Sequence, residues 1–240
     1  MQTIETKTVA EIAAGSLAAV KVFEKLGIDY CCGGKRPLDE VCRSKGLATD
    51  EVERQLSAAM AGSPVEQRDW TTAPLQELIG HILRTHHEYL KRELGPLGER
   101  VDKVERVYGA RPEAAGRVAG LSPVFQALAS EMAMHMRKEE MMLFPAIAAC
   151  EEAVEAGREL PALPFGSVSN PIRMMEEEHD SAGSALARMR EITNGFEVPA
   201  YACVTYRAMI SGLLELEEDL HMHVHLENNV LFPRALALEA

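Results

Sequence analysis

Apolar residues recur at helical spacing along most of this chain, and helix start and stop signals divide it into one short part and four long stretches. In the short part, Thr8-Val9-Ala10-Glu11 has the form of a capping box. Apolar positions continue through Leu17, Val20 and Leu26, and Gly27 should end the helix. An irregular segment follows, Asp29-Tyr30-Cys31-Cys32-Gly33-Gly34, whose glycines admit backbone angles that other residues avoid. Two short helices complete this part, one opening at Pro37 and one capped by Thr49 with Asp50 and Glu51 in its first turn. Gly62-Ser63-Pro64 reads as a linker. Beyond it, Pro74 opens the first long helix, with Leu75, Leu78, Ile79 and Ile82 on one face. Ser122-Pro123 and Asn170-Pro171 pair a cap residue with proline at the first helical position, and so start the second and third. The third should end near Asn194-Gly195, and Pro199 leads into a fourth that reaches Pro233 or slightly beyond. The pattern predicts an all-α protein: a small helical domain over 1–62, a linker over 63–73, and an antiparallel four-helix bundle over 74–240.

Composition supports helix, with abundant Ala, Leu, Met and Glu and only 5% aromatic residues. The formal net charge of −12, with no cluster of Lys and Arg to offset it, argues against nucleic acid or an anionic membrane surface as partner. No apolar run is long enough to span a bilayer, and residues 1–14 lack the pattern of a secretion signal. Five cysteines, two of them adjacent, do not form a disulfide framework, so the expected compartment is a reducing cytoplasm.

The sharpest feature is an internal repeat. Residues 135–145 read HMRKEEMMLFP and residues 223–233 read HVHLENNVLFP, so HxxxExxxLFP occurs twice, 88 positions apart. Leu128 and Leu216, Glu131 and Asp219, and Met132 and Leu220 share the same offset. Residues four apart lie on one helix face, so His135 points with Glu139 and His223 with Glu227. Burying a histidine and a carboxylate together is costly unless something satisfies them, and a metal ion does. Imidazole and carboxylate without thiolate suit iron, manganese or zinc. Each hairpin should add one further ligand, His179 from the third helix and His86 or His87 from the first. His87-Glu88 matches His179-Asp180, whereas periodicity favours His86, and spacing leaves that choice open. Four histidines and two carboxylates exceed one ordinary ion. Shared by two ions with both carboxylates bridging, they leave room for an oxo or hydroxo bridge and an exchangeable position. Glu131, Asp219 and Glu178 are candidates to receive ligand N–H groups or to line a route for iron.

These residues resemble the hemerythrin-like di-iron family. Together with DYCCGGK at 29–35, EEHD at 177–180 and LENNVLFPRAL at 226–236, the chain from about Thr8 to its end is similar to the repair-of-iron-centres proteins. The resemblance implies two non-haem irons on His87, His135, Glu139, His179, His223 and Glu227, choosing His87 over His86. It implies repair of iron–sulfur clusters damaged by nitric oxide or peroxide, through release of iron to damaged or apo iron–sulfur proteins. His86 and His225 are extra to the family pattern.

Two other functions compete: reversible binding of O2 or NO at an open iron position, and reduction of NO or peroxide with Cys31 and Cys32 as catalytic thiols. A ferritin-type reading, with Glu176/His179 and Glu218/His221 as Glu-x-x-His pairs, leaves the repeat unexplained. Cys42, Cys150 and Cys203 read as helical core thiols, the methionines between Met132 and Met142 as core packing, and His81 and His221 as surface or hydrogen-bonded residues.

Overall fold

The computed structural model describes residues 7–61 and 68–239, so the expected linker at Gly62-Ser63-Pro64 lies outside the described residues. The protein is all-α, with no strand among the described residues. Its internal contacts divide it into two units, one of Met1–Ile79, Cys150–Leu160 and His221–Ala240, the other of Gly80–Ala149 and Pro161–Leu220.

In the first unit, helices α1 (Val9–Gly15), α2 (Leu17–Leu26), α3 (Leu38–Lys45) and α4 (Thr49–Ala61) enclose a core that includes Phe23, Tyr30, Leu38 and Leu56. The capping box forms in both directions: Thr8 Oγ1 accepts from the Glu11 N–H at 3.1 Å, and Glu11 accepts from the Thr8 N–H at 2.8 Å. The expected single helix to Leu26 instead breaks at Ser16, which is extended at φ −164°. Gly15 is a poor helix former, and the Ser16 N–H turns back to the Ala13 carbonyl before α2 begins. Gly27 then ends α2 in the left-handed region at φ 62°. Thr49 is the first residue of α4 rather than its cap, because the first turn closes on the Ala48 carbonyl.

The same unit contains the start of α5 (Leu75–Ile82), capped by Glu151 on α8 (Phe144–Glu155). The two Glu151 carboxylate oxygens accept the N–H groups of Leu75 at 2.6 Å and Gln76 at 2.9 Å. Glu151 is buried, so Glu151→Ala strands those donors and should lower stability by about 1–2 kcal/mol in thermal melts. An unchanged melting temperature would mean that other groups satisfy the helix start.

In the second unit, α6 (Glu88–Tyr108), α7 (Leu121–Lys138), α9 (Ser169–Ile192) and the first part of α10 (Val204–Leu226) surround an apolar core that includes Leu97, Phe125, Met189 and Leu213. The alternation of direction is visible in cross-helix bonds. Asp102 and Glu105 near the end of α6 meet Ser122 at the start of α7. Glu131 on α7 meets Ser181 on α9, and His135 further along α7 meets Glu178 earlier on α9, so these two run in opposite directions. Some start signals act differently from their sequence reading. Helix α7 begins at Leu121 behind Gly120 at φ 82°, and Glu105 accepts the N–H groups of Gly120 and Ser122, so Ser122 is not the cap. Asn170 lies one residue inside α9 and donates to the Phe165 carbonyl.

Two packing expectations are corrected. Met132 and Met136 are buried, but Met134, Met141 and Met142 are exposed, because the run wraps right round the helix and only one face meets the core. Cys42 and Cys150 are buried, whereas Cys203 is exposed, since α10 starts only after it.

Among the described residues, three π-turns interrupt the helices, at Leu83–His87, Glu139–Leu143 and Glu227–Leu231. In the repeated motif, Pro145 and Pro233 have no N–H to give to the preceding turn. The helix widens just before them, so the Phe144 N–H reaches the Glu139 carbonyl and the Phe232 N–H reaches the Glu227 carbonyl, five residues back. The terminal α11 (Phe232–Ala237) follows the last of these turns.

Candidate metal centre

His87, at the end of the first π-turn, and His135, Glu139 and His179 are all buried in the second unit. Glu139 Oε2 lies 3.3 Å from His87 Nε2 and 3.3 Å from His135 Nε2, a single oxygen facing two imidazoles. His179 Nε2 is 3.1 Å from His135 Nε2. The ligand-capable atoms of His135, Glu139 and His179 all lie within 4.8 Å of one another. In the first unit, His223 Nε2 lies 3.0 Å from Glu227 Oε1, and both residues are fully buried.

The outer hydrogen bonds fix which nitrogen faces inward. A carboxylate only accepts, so an imidazole nitrogen bonded to one carries the proton. His87 Nδ1–H donates to Glu140 Oε1 at 2.8 Å, and His135 Nδ1–H donates to Glu178 Oε2 at 2.9 Å. Their Nε2 lone pairs are therefore directed at Glu139, the tautomer a metal ligand needs. Phe144 of the repeated motif stacks on His87 with ring centroids 5.7 Å apart. Neutral nitrogen donors converging on a buried carboxylate, with no thiolate among them, fit a divalent first-row metal such as iron.

The other sequence candidates divide. Glu178 reaches the His135 imidazole. Glu131 instead accepts from Ser181 Oγ at 3.0 Å and, with Glu177 and Glu178, lines a cavity of about 540 Å³. Asp219 meets His86 Nδ1 at 2.9 Å, which turns His86 toward α10. Sequence reading missed Glu140. Its only local trace is the doubled Glu139-Glu140, whose repeat counterpart is Glu227-Asn228, and its partner His87 is distant in sequence.

The DYCCGG segment is a tight knot. Asp29 Oδ1 accepts the N–H groups of Cys31 and Cys32, and Asp29 Oδ2 accepts that of Gly33. Cys31 is buried, and its thiol donates to Asp29 Oδ1 at 3.3 Å. The Cys32 hydrogen bond, then burial, then the charges of Cys32 and Asp29 push the Cys31 thiol well above the ordinary range. Asn229 Nδ2 donates to the carbonyls of Tyr30 at 3.1 Å and Cys31 at 3.0 Å, two residues along from Glu227. His225 Nδ1 is 3.4 Å from the Tyr30 carbonyl, and burial holds His225 down to about 4. His221 pairs with Glu24 and His81 with Thr85.

Cys203 is the exposed thiol of this set. The Tyr108 hydroxyl, then backbone N–H groups at the start of α10, lower it to about 7. Alkylation with iodoacetamide should therefore label Cys203 ahead of Cys31, Cys42 and Cys150, with a rate that rises to half its plateau near pH 7. Peptide mapping that finds Cys31 labelled first would contradict this.

Residues 78–235 match the profile of the Hemerythrin HHE cation binding domain, and residues 5–60 match that of a Domain of Unknown function, DUF542. The chain is 39% identical over 230 residues to the iron–sulfur cluster repair protein YtfE of Pectobacterium atrosepticum, covering 96% of both chains. It is 40% identical over 229 residues to the protein of that name from Escherichia coli O1:K1, covering 95% of this chain and 96% of the other. No helix among the described residues is long and apolar enough to cross a membrane. The chain therefore belongs to the hemerythrin HHE cation-binding family, in the group that also carries DUF542 and whose full-length relatives are named iron–sulfur cluster repair proteins.

Proposed function

We propose that this protein repairs iron–sulfur clusters damaged by nitrosative or oxidative stress, giving up iron from a dinuclear centre to the damaged or apo protein. The observation that carries the reading is the buried set of inward-facing imidazoles around Glu139, in a chain similar over nearly its whole length to proteins named for cluster repair. In this reading His87, His135, Glu139, His179, His223 and Glu227 would hold the metal. The 3.1 Å approach of His135 to His179 supports their acting together, and the repeat supports treating Glu227 as the counterpart of Glu139. Bound there, ferrous iron would supply a labile store, since nitrogen and carboxylate donors hold it less firmly than thiolates do.

The chain's own residues would bind and orient the metal. Glu140 and Glu178 keep the His87 and His135 donors inward, and Glu131, Glu177 and Glu178 give a cation an acidic cavity wall. In the test, the iron-loaded chain is mixed without oxygen with an apo [4Fe–4S] protein, inorganic sulfide and a thiol reductant, and iron and cluster are followed in both. Iron leaving the donor as the acceptor regains its cluster is the expected result. Full retention of iron would leave reversible O2 or NO binding as the better reading. The reductive alternative, with Cys31 and Cys32 relaying electrons, calls for a thiolate, and the Cys32 hydrogen bond and burial push the Cys31 thiol away from that form. Steady consumption of NO or peroxide that stops in a variant lacking both thiols would revive it.

A further inference from the structure

The carboxylates that anchor His87 and His135 are each held in turn by a lysine. Glu140 Oε1 receives both His87 Nδ1–H at 2.8 Å and Lys91 Nζ at 2.9 Å. Glu178 divides its oxygens, one for His135 and one for Lys138. Lys91 and Glu140 are partly exposed while His87 is not exposed at all, so the chain of contacts runs from the surface to a buried donor.

We propose that Glu140, fixed by Lys91, is a positioning residue that holds His87 as an Nε2 donor and is itself kept from binding the metal. This rests on the metal-centre reading above.

Two physical arguments support it. An imidazole without an acceptor at Nδ1 divides between its tautomers, and one of them turns an N–H toward the metal. A carboxylate beside a divalent ion is itself a strong oxygen ligand, and the Lys91 ammonium on Oε1 restrains it from swinging inward.

The test uses the metal-free full-length chain, with cobalt(II) alone as the probe. Visible absorbance follows binding, and nitrogen NMR of the imidazoles reports the His87 tautomer before any metal is added. Glu140→Ala should weaken cobalt binding about 10–100-fold and remove the Nδ1–H signature of His87. Glu140→Gln, which keeps an acceptor oxygen without the charge, should restore most of that signature, and Lys91→Met should weaken binding in the same direction. Glu88→Gln removes the other carboxylate near Lys91, at 3.3 Å, and should change neither readout. Wild-type affinity and an unchanged tautomer in Glu140→Ala would overturn the inference, as would equal weakening in Glu88→Gln. If Glu140→Ala does not fold without metal, Glu140→Gln and Lys91→Met carry the comparison. Failure of the wild-type chain to bind cobalt would overturn the metal-centre reading as well, which separates the two claims.

Discussion

Replacing His135 and His223 together with alanine should take the iron of the anaerobically purified chain from about two per chain to near zero. Each substitution removes one imidazole from one copy of the repeat, so one donor is lost beside Glu139 and one beside Glu227. What remains on each side is a buried carboxylate with too few neutral donors to hold a divalent ion. Metal analysis for iron, manganese and zinc reads the result, and circular dichroism checks that the helices persist. A wild-type chain that carries zinc, or almost no metal, would remove the iron centre from the proposal. A variant that keeps its full iron would move the ligands elsewhere.

Gly34→Ala should unfold or severely destabilise the small N-terminal unit. An added Cβ at Gly34 would lie 2.4 Å from the Tyr30 carbonyl oxygen and 3.0 Å from the Ala10 Cβ, and the first of these is backbone that cannot swing aside. The cost should be about 3 kcal/mol or more, and a melting point roughly 6–12 °C lower follows for a chain of this size. Gly33→Ala is the milder companion, because its nearest neighbour at 2.8 Å is the Asp29 carboxylate, a side chain able to move. Gly15→Ala meets nothing within 4 Å and should be neutral or slightly stabilising. A Gly34→Ala variant that melts like the wild type would show that the Asp29 turn can open at little cost.

These cases also mark where the sequence was readable. Helix class and the order of elements followed from apolar spacing and from residues such as Thr8, Gly27, Pro74 and Gly195, whose effects are local. The repeat exposed His135, Glu139, His223 and Glu227 because a histidine and a glutamate four apart share a face wherever the helix goes. The rest depended on partners far along the chain. Glu105 capping α7, Glu151 capping α5 and Glu140 anchoring His87 are side chains reaching across to another helix, and no periodicity records them. The break at Ser16 was hidden because the apolar pattern continues across it. Exposure of Met134, Met141 and Met142 was missed because residue type was weighed above helical face.

The π-turns carry a consequence for how this protein can change over time. The wide turn at Glu139–Leu143 absorbs one residue that a regular α-helix would express as a rotation of about 100°, so Phe144 and Ile147 keep their buried positions beyond it. The extra residue thus acts as a phase adjuster between two lengths of one helix. The length before it can be tuned for metal, and the length after it for packing, without either dictating the angle of the other. Substitutions should accumulate independently on the two sides, and loss of the extra residue should disturb the turn that carries Glu139 more than the packing beyond it.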